Sequence, residues 1–311
     1  MILIKISEYM SNLKVFYTDH YEVELPTGHR FPMFKYRLLR ETLLEKQVID
    51  WHQLEPTPLL DDNILLFAHS EDYVNQVKNV NLDKNLERLS GFPQSKSMYY
   101  RSLASVCATV LATEHALNYG IAATISGGTH HAYKDRGEGF CIFNDVAVAI
   151  NYFKHQKKIK RPFVIDLDVH QGNGTAAIFQ NDPQTFTFSF HGEKNYPFRK
   201  EKSDFDLGFP PHTTDSVYLF NLQLYLSNCI EKHNPDILFY NAGVDILKED
   251  QLGSLDISLQ GCLERDMMVF YLAQKFELPI VVVMGGGYAK PISPTIQAQL
   301  NLFQEMKHFN F

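Results

Sequence analysis

Cysteine, tryptophan and surplus positive charge are all scarce in this sequence of 311 residues. It has four cysteines, one tryptophan, and 29 Lys and Arg against 36 Asp and Glu, which gives a net charge of −7. No two cysteines form a CxxC pair, so a reducing cytoplasm is expected rather than a disulfide framework. The acidic balance argues against direct nucleic-acid binding, which needs a basic surface.

Long apolar runs are missing as well. No stretch reaches the roughly 18 consecutive apolar residues that a membrane span requires, and residues 1–12 lack the pattern of a signal peptide. We therefore expect a cytoplasmic protein without a membrane span. Because no repeat, low-complexity tract or linker interrupts the chain, a single domain over residues 1–311 is the simplest organisation.

Short apolar runs alternate with helix-like stretches along the chain. Nearly every position in five of the runs is apolar, which is typical of strands covered on both faces. This strand–helix alternation predicts an α/β fold with a central, mainly parallel sheet. The predicted strands are 121–126, 162–167, 185–190, 236–241 and 279–284, and the predicted helices are 99–118, 145–156, 215–233 and 258–276.

Polar or glycine-rich segments follow all five predicted strands. In an open parallel sheet, sites form beyond the carboxyl ends of the strands, so these segments are expected to meet at one edge. Their convergence predicts an active site there. The segments are 127–131, 166–170, 189–191, 241–245 and 285–288.

Three of these polar residues suit a metal ion. Asp168 and His170 alternate on an extended segment, so their side chains point to the same side, and Asp245 can supply a third ligand. Two carboxylates and one imidazole leave room for water and a substrate oxygen, as in catalytic rather than structural sites. Zinc is our first choice and iron(II) the second, because these ligands select weakly between them.

Two adjacent histidines, His130 and His131, follow two glycines after the first predicted strand. Imidazole titrates near neutral pH, so a pair beside a metal suits general acid–base catalysis. Each ring needs a partner on its far nitrogen, and Asp166 and Asn173 are the candidates. The alternative is that these histidines are structural and the acids only cap helices or line turns.

Tyr288 follows three glycines after the fifth predicted strand. In the functional interpretation its hydroxyl donates to the oxyanion of the reaction, which is worth about 3 kcal/mol at other oxyanion sites. The alternative is a packed aromatic after a turn. Within 137–141, Gly139 permits close packing and Phe140 can flank an aliphatic chain, which predicts the wall of a substrate channel.

Six segments together resemble the histone deacetylase superfamily, and they follow one another in the family's order. The resemblance is greatest to class IV and its bacterial relatives. It implies a single-domain, three-layer α/β/α arginase–deacetylase fold and a zinc-dependent hydrolase that removes acetyl or longer acyl groups from lysine side chains. The segments are SGGTHHA (126–132), GEGFCIFNDVAVA (137–149), VIDLDVHQGNGT (164–175), FSFHG (188–192), NAGVD (241–245) and GGGY (285–288).

The resemblance also implies two kinds of ion site. Asp168, His170 and Asp245 would be the zinc ligands. A monovalent cation, usually potassium, would lie nearby and be held partly by backbone carbonyls. The positions implied for this cation are Asp166, Asp168, His170, Ser189 and Phe190.

The roles implied for the remaining residues follow the family pattern with one departure. His131 would be the general base, Asp166 would orient His130, and Tyr288 would be the oxyanion donor. Asn173 stands where class I enzymes have aspartate, whereas class II and IV members also have asparagine at this position. A neutral amide stabilises imidazolium less than a carboxylate does, so a less basic His131 is expected.

Similarity is weaker near the N-terminus, at residues 29–36 and 68–74. There, Arg30 aligns with an arginine that the family places beneath the pocket. Residues 87–93 show no match to the rim aspartate with which class I enzymes hold the substrate backbone. A different grip on the substrate is therefore expected.

Several functions compete with a lysine deacylase. An acetylpolyamine amidohydrolase is the nearest, although no long insertion of the kind seen in those enzymes is present. An arginase-like hydrolase would need two metals about 3.5–4 Å apart, and more bridging aspartates than this sequence offers. A scaffold protein without turnover usually loses a ligand or the tyrosine, and here all are present. The expected partner is thus an acyl-lysine protein or peptide, or an acylated polyamine.

Overall fold

The structure of the protein, a computed structural model, describes residues 12–308, and eight strands within them form one sheet. The strands are β1 (Lys14–Tyr17), β2 (Leu54–Pro56), β3 (Ile121–Ile125), β4 (Pro162–Asp166), β5 (Phe186–Gly192), β6 (Phe205–Phe209), β7 (Ile237–Asn241) and β8 (Ile280–Val283). All neighbours pair in parallel, in the order β2-β1-β3-β8-β7-β4-β5-β6. The five strands predicted from the sequence form the contiguous centre, and the three that were missed lie at the edges.

Nine α-helices and two 3-10 helices accompany the sheet in the described part of the chain. The four predicted helices are confirmed as α4, α5, α7 and α8, and the shorter ones were not predicted. The α-helices are α1 (Lys35–Glu45), α2 (Glu71–Asn79), α3 (Lys84–Ser90), α4 (Lys96–Tyr119), α5 (Asp145–His155), α6 (Asn173–Phe179), α7 (Asp215–His233), α8 (Leu259–Lys275) and α9 (Ser293–Met306), and the 3-10 helices are Trp51–Gln53 and Asp62–Phe67. Among residues 12–308, no helix combines the length and apolar character needed to cross a bilayer.

Helices cover both faces of the sheet. Successive side chains of a strand point to opposite faces, and in β8 Ile280 and Val282 join one apolar cluster while Val281 and Val283 join the other. The first cluster also contains residues of α1, α7, α8 and α9, and the second contains residues of α2, α4 and α5. The three-layer α/β/α arrangement is therefore confirmed, and it explains why the central strands are apolar at nearly every position.

A buried ion pair lies beneath the loops that follow β4 and β7. Arg265 on α8 is fully buried, and its Nη2 lies 2.8 Å from Oδ1 of Asp266. Its Nη1 donates to the backbone carbonyl of Gly243 at 2.5 Å and to that of Leu167 at 3.3 Å. One guanidinium thus ties together two loops that carry predicted site residues.

A buried histidine fixes the loop between the histidine pair and α5. Nδ1 of His69 lies 2.9 Å from the carbonyl oxygen of Tyr133, so it donates, and Nε2 accepts from the backbone N–H of Asn144 at 2.9 Å. Both bonds together require the neutral ring. Burial accordingly lowers the pKa of His69 to about 4.

We expect Arg265→Met to lower the free energy of unfolding by about 3–5 kcal/mol, because it leaves the Asp266 carboxylate buried without its partner. Urea unfolding measures this. Lys275→Met, an exposed position at the end of the same helix, should stay within about 0.5 kcal/mol of the wild type. Adding Asp266→Leu to the first variant should recover part of the loss. Wild-type stability in Arg265→Met would contradict the assigned role.

The depressed pKa of His69 predicts that stability falls in acid. The unfolded chain takes up a proton at about pH 6.5, while the folded chain takes it up only near pH 4. The neutral ring therefore makes its full contribution to the free energy of unfolding above about pH 6.5. As the pH falls this contribution is lost, and the loss reaches about 3 kcal/mol at pH 4. In urea unfolding at several pH values, His69→Gln should show a shallower acid loss than the wild type. The exposed His52→Gln should keep the wild-type profile, and an unchanged profile in His69→Gln would refute the prediction.

Candidate active site

Three potential metal ligands converge at the carboxyl edge of the sheet. One ligand atom from each of Asp168, His170 and Asp245 lies within 4.8 Å of the others, and all three side chains are buried. Nδ1 of His170 lies 3.1 Å from Oδ1 of Asp168 and 3.0 Å from Oδ2 of Asp245. The three meet because β4 and β7 are adjacent in the sheet and their loops leave it side by side.

The charges of this group favour a cation. Burial, together with the neighbouring charge of Asp168, raises the pKa of Asp245 to about 7. Burial lowers the pKa of His170, but the two carboxylates outweigh this effect and raise it to about 10. The pocket therefore attracts positive charge. Two carboxylates and an imidazole also match the donors that zinc and iron(II) accept, so the residues present fit a divalent metal.

Backbone amides orient the two carboxylates. The N–H of Val169 donates to Oδ1 of Asp245 at 2.9 Å, and the N–H of Gly286 donates to Oδ2 of Asp168 at 2.7 Å. A side chain at residue 286 would collide with the carboxylate of Asp245. The middle glycine of segment 285–288 thus permits close approach to the ligands.

The histidine pair has the two partners that were predicted. Nδ1 of His130 lies 2.7 Å from Oδ2 of Asp166, and Nδ1 of His131 lies 2.5 Å from Oδ1 of Asn173. Both rings are buried, with their centroids 4.1 Å apart. Nε2 of His130 lies 3.8 Å from Oδ1 of Asp168, which places the pair beside the ligand group.

These different partners shift the pKa values of the two imidazoles in opposite directions. Burial lowers the pKa of His130, but the carboxylates of Asp166 and Asp168 raise it overall to about 9. For His131, burial and the nearby positive charges hold the pKa well below its ordinary value, and the Asn173 amide offsets this only in part. At neutral pH the first ring is protonated and the second is neutral. Such a division leaves the second ring able to accept a proton, while the first carries a positive charge.

Some residues that orient the site were not singled out from the sequence. Nδ2 of Asn241 donates to Oδ1 of Asp166 at 2.9 Å, and Nδ2 of Asn173 donates to the hydroxyl of Tyr133 at 3.0 Å. The buried carboxylate of Asp145 accepts from the N–H groups of residues 128 and 129, which shapes the turn before the histidine pair. Asn241 and Asp145 lie inside the segments NAGVD and GEGFCIFNDVAVA, so the resemblance carried a signal for both.

The cationic side chain beneath the pocket is that of Lys35 and not, as predicted, that of Arg30. Arg30 is exposed and lines the outer mouth of the site, so its expected position is wrong. Lys35 lies beneath instead, where it donates to the carbonyl of Gly287 at 3.2 Å, with Nζ 4.9 Å from the ring centroid of Tyr288. The reason is local, because α1 begins at Lys35 and buries its first two residues, while Arg30 precedes the helix. Burial lowers the pKa of Lys35 to about 8.

The predicted channel residues line the space above the ligand group. Gly139 and Phe140 border a cavity of about 40 Å³ together with Tyr288. A Cβ atom on residue 139 would lie 2.5 Å from Cδ2 of His131, so the close approach requires glycine. Burial and the charge of Asp245 hold the pKa of Tyr288 well above its ordinary value. Its hydroxyl therefore keeps its proton.

The residues predicted for the monovalent cation lie on adjacent strands. Asp166 at the end of β4 is directly opposite Ser189 on β5, and Phe190 follows on the same strand. Asp168 and His170 continue from β4 into the ligand loop. The five positions thus share one region of the sheet edge, and the cation itself stays a prediction.

Known proteins resemble this chain in both sequence and fold. The profile of the Histone deacetylase domain matches residues 29–301. An uncharacterized protein of Picosynechococcus sp. is 41% identical over 278 residues, which cover 89% of this chain and 93% of that protein. Histone deacetylase 2 of Arabidopsis thaliana is 30% identical over 298 residues, or 90% of this chain and 76% of that protein.

A crystal structure of an HDAC homologue complexed with SAHA superimposes with a TM-score of 0.82 at 25% identity, covering 96% of this chain and 84% of that one. The arginase–deacetylase fold implied by the motifs is thereby confirmed. The family's enzymes are metal-dependent deacetylase hydrolases, and this chain has a buried Asp-His-Asp group of suitable ligands. The profile match and the Arabidopsis relative show that the chain belongs to the histone deacetylase family.

Proposed function

We propose that this protein is a zinc-dependent hydrolase that removes an acetyl or longer acyl group from lysine side chains. The observation that carries the proposal is the ligand group Asp168, His170 and Asp245 beside two buried imidazoles, which Asp166 and Asn173 orient. A small cavity beside this group, bordered by Gly139, Phe140 and Tyr288, gives space next to the ligands. Relatives named as histone deacetylases support the same reaction class.

The metal is proposed to be zinc, with iron(II) as the alternative that the same donors accept. When bound, the ion would act as a Lewis acid toward the acyl carbonyl and the attacking water. We further propose a potassium ion near the ligand loop. The residues that would hold it are Asp166, Asp168, His170, Ser189 and Phe190.

Each catalytic side chain has a part that follows from its environment. His131 is neutral and oriented by Asn173, so it accepts the proton of the attacking water and later returns it to the leaving amine. His130 stays protonated because of Asp166, and its charge stabilises the negative charge that develops in the transition state. The protonated hydroxyl of Tyr288 donates to the oxyanion. Hydrolysis yields a free carboxylic acid and a free amine.

The organisation and location that we propose are those of a single catalytic domain in the cytoplasm. All four cysteines are unpaired, which suits a reducing compartment. The principal alternative substrate is an acetylpolyamine.

The close approach at Gly286 predicts the effect of a methyl group on metal binding. In Gly286→Ala the added Cβ displaces the carboxylate of Asp245, so we expect the affinity for zinc to fall about 10- to 100-fold. Competition with a zinc chelator measures this. Gly208→Ala, on the edge strand β6, is the matched control and should bind zinc like the wild type. Equal affinity in the two variants would show that the ligand group tolerates displacement and does not hold the ion as proposed.

The proposed roles of the imidazole base and the tyrosine are tested by turnover of an acetyl-lysine peptide. We expect His131→Ala to lower kcat by about 10²- to 10⁴-fold through loss of the base. Tyr288→Phe should lower it by about 10²- to 10³-fold through loss of an oxyanion donor. Zinc content should stay unchanged in both, and the exposed Tyr100→Phe is the control. Unchanged turnover in both site variants would refute these roles.

A further inference from the structure

The mouth of the site carries positive charge. A cavity of about 520 Å³ lies outside the ligand group, and its lining includes His170 and Tyr288 at the inner end. Arg30, Arg88 and Lys194 also line this cavity, and none of the residues that line it is an aspartate or a glutamate. A substrate that reaches the reacting groups therefore passes three cations.

The three cations form no ion pair in the described part of the chain. All three are exposed, and within residues 12–308 none has a carboxylate within 4.0 Å. Glu138 does not line the cavity but lies behind the lining residue Tyr196, from whose hydroxyl it accepts at 2.6 Å. Its charge is already matched, because Oε1 lies 2.7 Å from Nε of Arg136. The charged side chains that line the mouth are therefore all basic.

This local charge opposes that of the whole chain. The sequence has a net charge of −7, yet the mouth gathers three cations over one cavity. A cleft lined by one sign of charge focuses the field and raises the local concentration of the opposite charge. A polyamine or a lysine-rich tail would meet repulsion here, whereas a carboxylate-bearing substrate would be attracted.

The sizes of the two cavities indicate which part of a substrate lies beside these cations. The inner cavity measures about 40 Å³ and lies against the ligand group. The outer cavity is more than ten times larger. With an acyl-lysine in the channel, the residues before and after it must lie in the mouth. The side chains of Leu89 and Phe198, which are 47% and 89% exposed, offer apolar contacts to that stretch of peptide.

We propose that the mouth selects acyl-lysine peptides in which acidic residues flank the modified lysine, and that it disfavours polycationic substrates such as acetylpolyamines. The inference rests on the proposed hydrolase function and specifies its substrate class. Arg30, Arg88 and Lys194 are the residues that recognise the flanking carboxylates.

Three peptides of one length test the proposal, each with a central acetyl-lysine flanked on both sides by two Glu, two Gln or two Lys residues. At low salt we expect kcat/KM to be about fivefold higher for the Glu than for the Gln peptide, and about fivefold lower for the Lys peptide. These ratios should approach one in about 1 M NaCl, where charges are screened within about 3 Å. Acetylspermidine should be a poorer substrate than the Glu peptide.

Charge-reversed variants test which residues cause the preference for the Glu peptide. In Arg88→Glu and Lys194→Glu the Glu-to-Gln ratio should fall to about one or below, while the exposed Lys232→Glu on α7 should keep the wild-type ratio. Equal kcat/KM for the three peptides, a preference for acetylspermidine, or a Glu preference that survives both reversals would overturn the inference. In each of these cases turnover of the Gln peptide or of acetylspermidine still supports hydrolysis. Absence of turnover on all four substrates would overturn the hydrolase proposal as well.

Discussion

Two carboxylates buried against each other are the constraint on which this structure depends. Asp168 and Asp245 lie on separate loops, and both are almost fully removed from solvent. Burying like charges in one place is unfavourable unless a cation and hydrogen-bond donors compensate. The imidazole of His170 lies between them, and backbone N–H groups hold one oxygen of each. The surrounding loops are shaped to keep this arrangement.

Buried cationic side chains hold the loops that carry this arrangement. Arg265 holds the carbonyls of both ligand loops from underneath, while Lys35 holds the glycine loop from the side. The two cations come from α8 and α1, on the same side of the sheet. The geometry at the edge of the sheet is therefore fixed by helix packing as well as by the strands that deliver the ligands.

The contrast between the two imidazoles arises from a single difference in their partners. A carboxylate on the far nitrogen of His130 favours the protonated ring, and an amide on the far nitrogen of His131 does so only weakly. The sequence contained both partners, and the asparagine at position 173 already predicted a less basic second ring. The direction of both pKa values follows from that pairing together with burial.

The fold was predictable from the sequence in its centre and not at its edges. The central strands are covered on both faces, so their composition alone marks them. β2 has three residues and ends at Pro56, and β6 alternates between more and less exposed positions, so neither gives a continuous apolar run. The site residues were predictable because they follow the central strands. Lys35 was missed because its place under Tyr288 depends on how α1 packs, which no local pattern records.

The order of strands has a consequence for how the chain is made on the ribosome. β8 is the eighth and last strand in the sequence, yet it lies between β3 and β7 in the sheet. Until it emerges, β2-β1-β3 and β7-β4-β5-β6 share no strand pairing, and each half exposes an unpaired inner edge of the kind that associates with other chains. Synthesis therefore passes through a long interval with two separate half-sheets. Completion of the sheet joins them and, in the same step, brings the glycine loop and its tyrosine to the ligands.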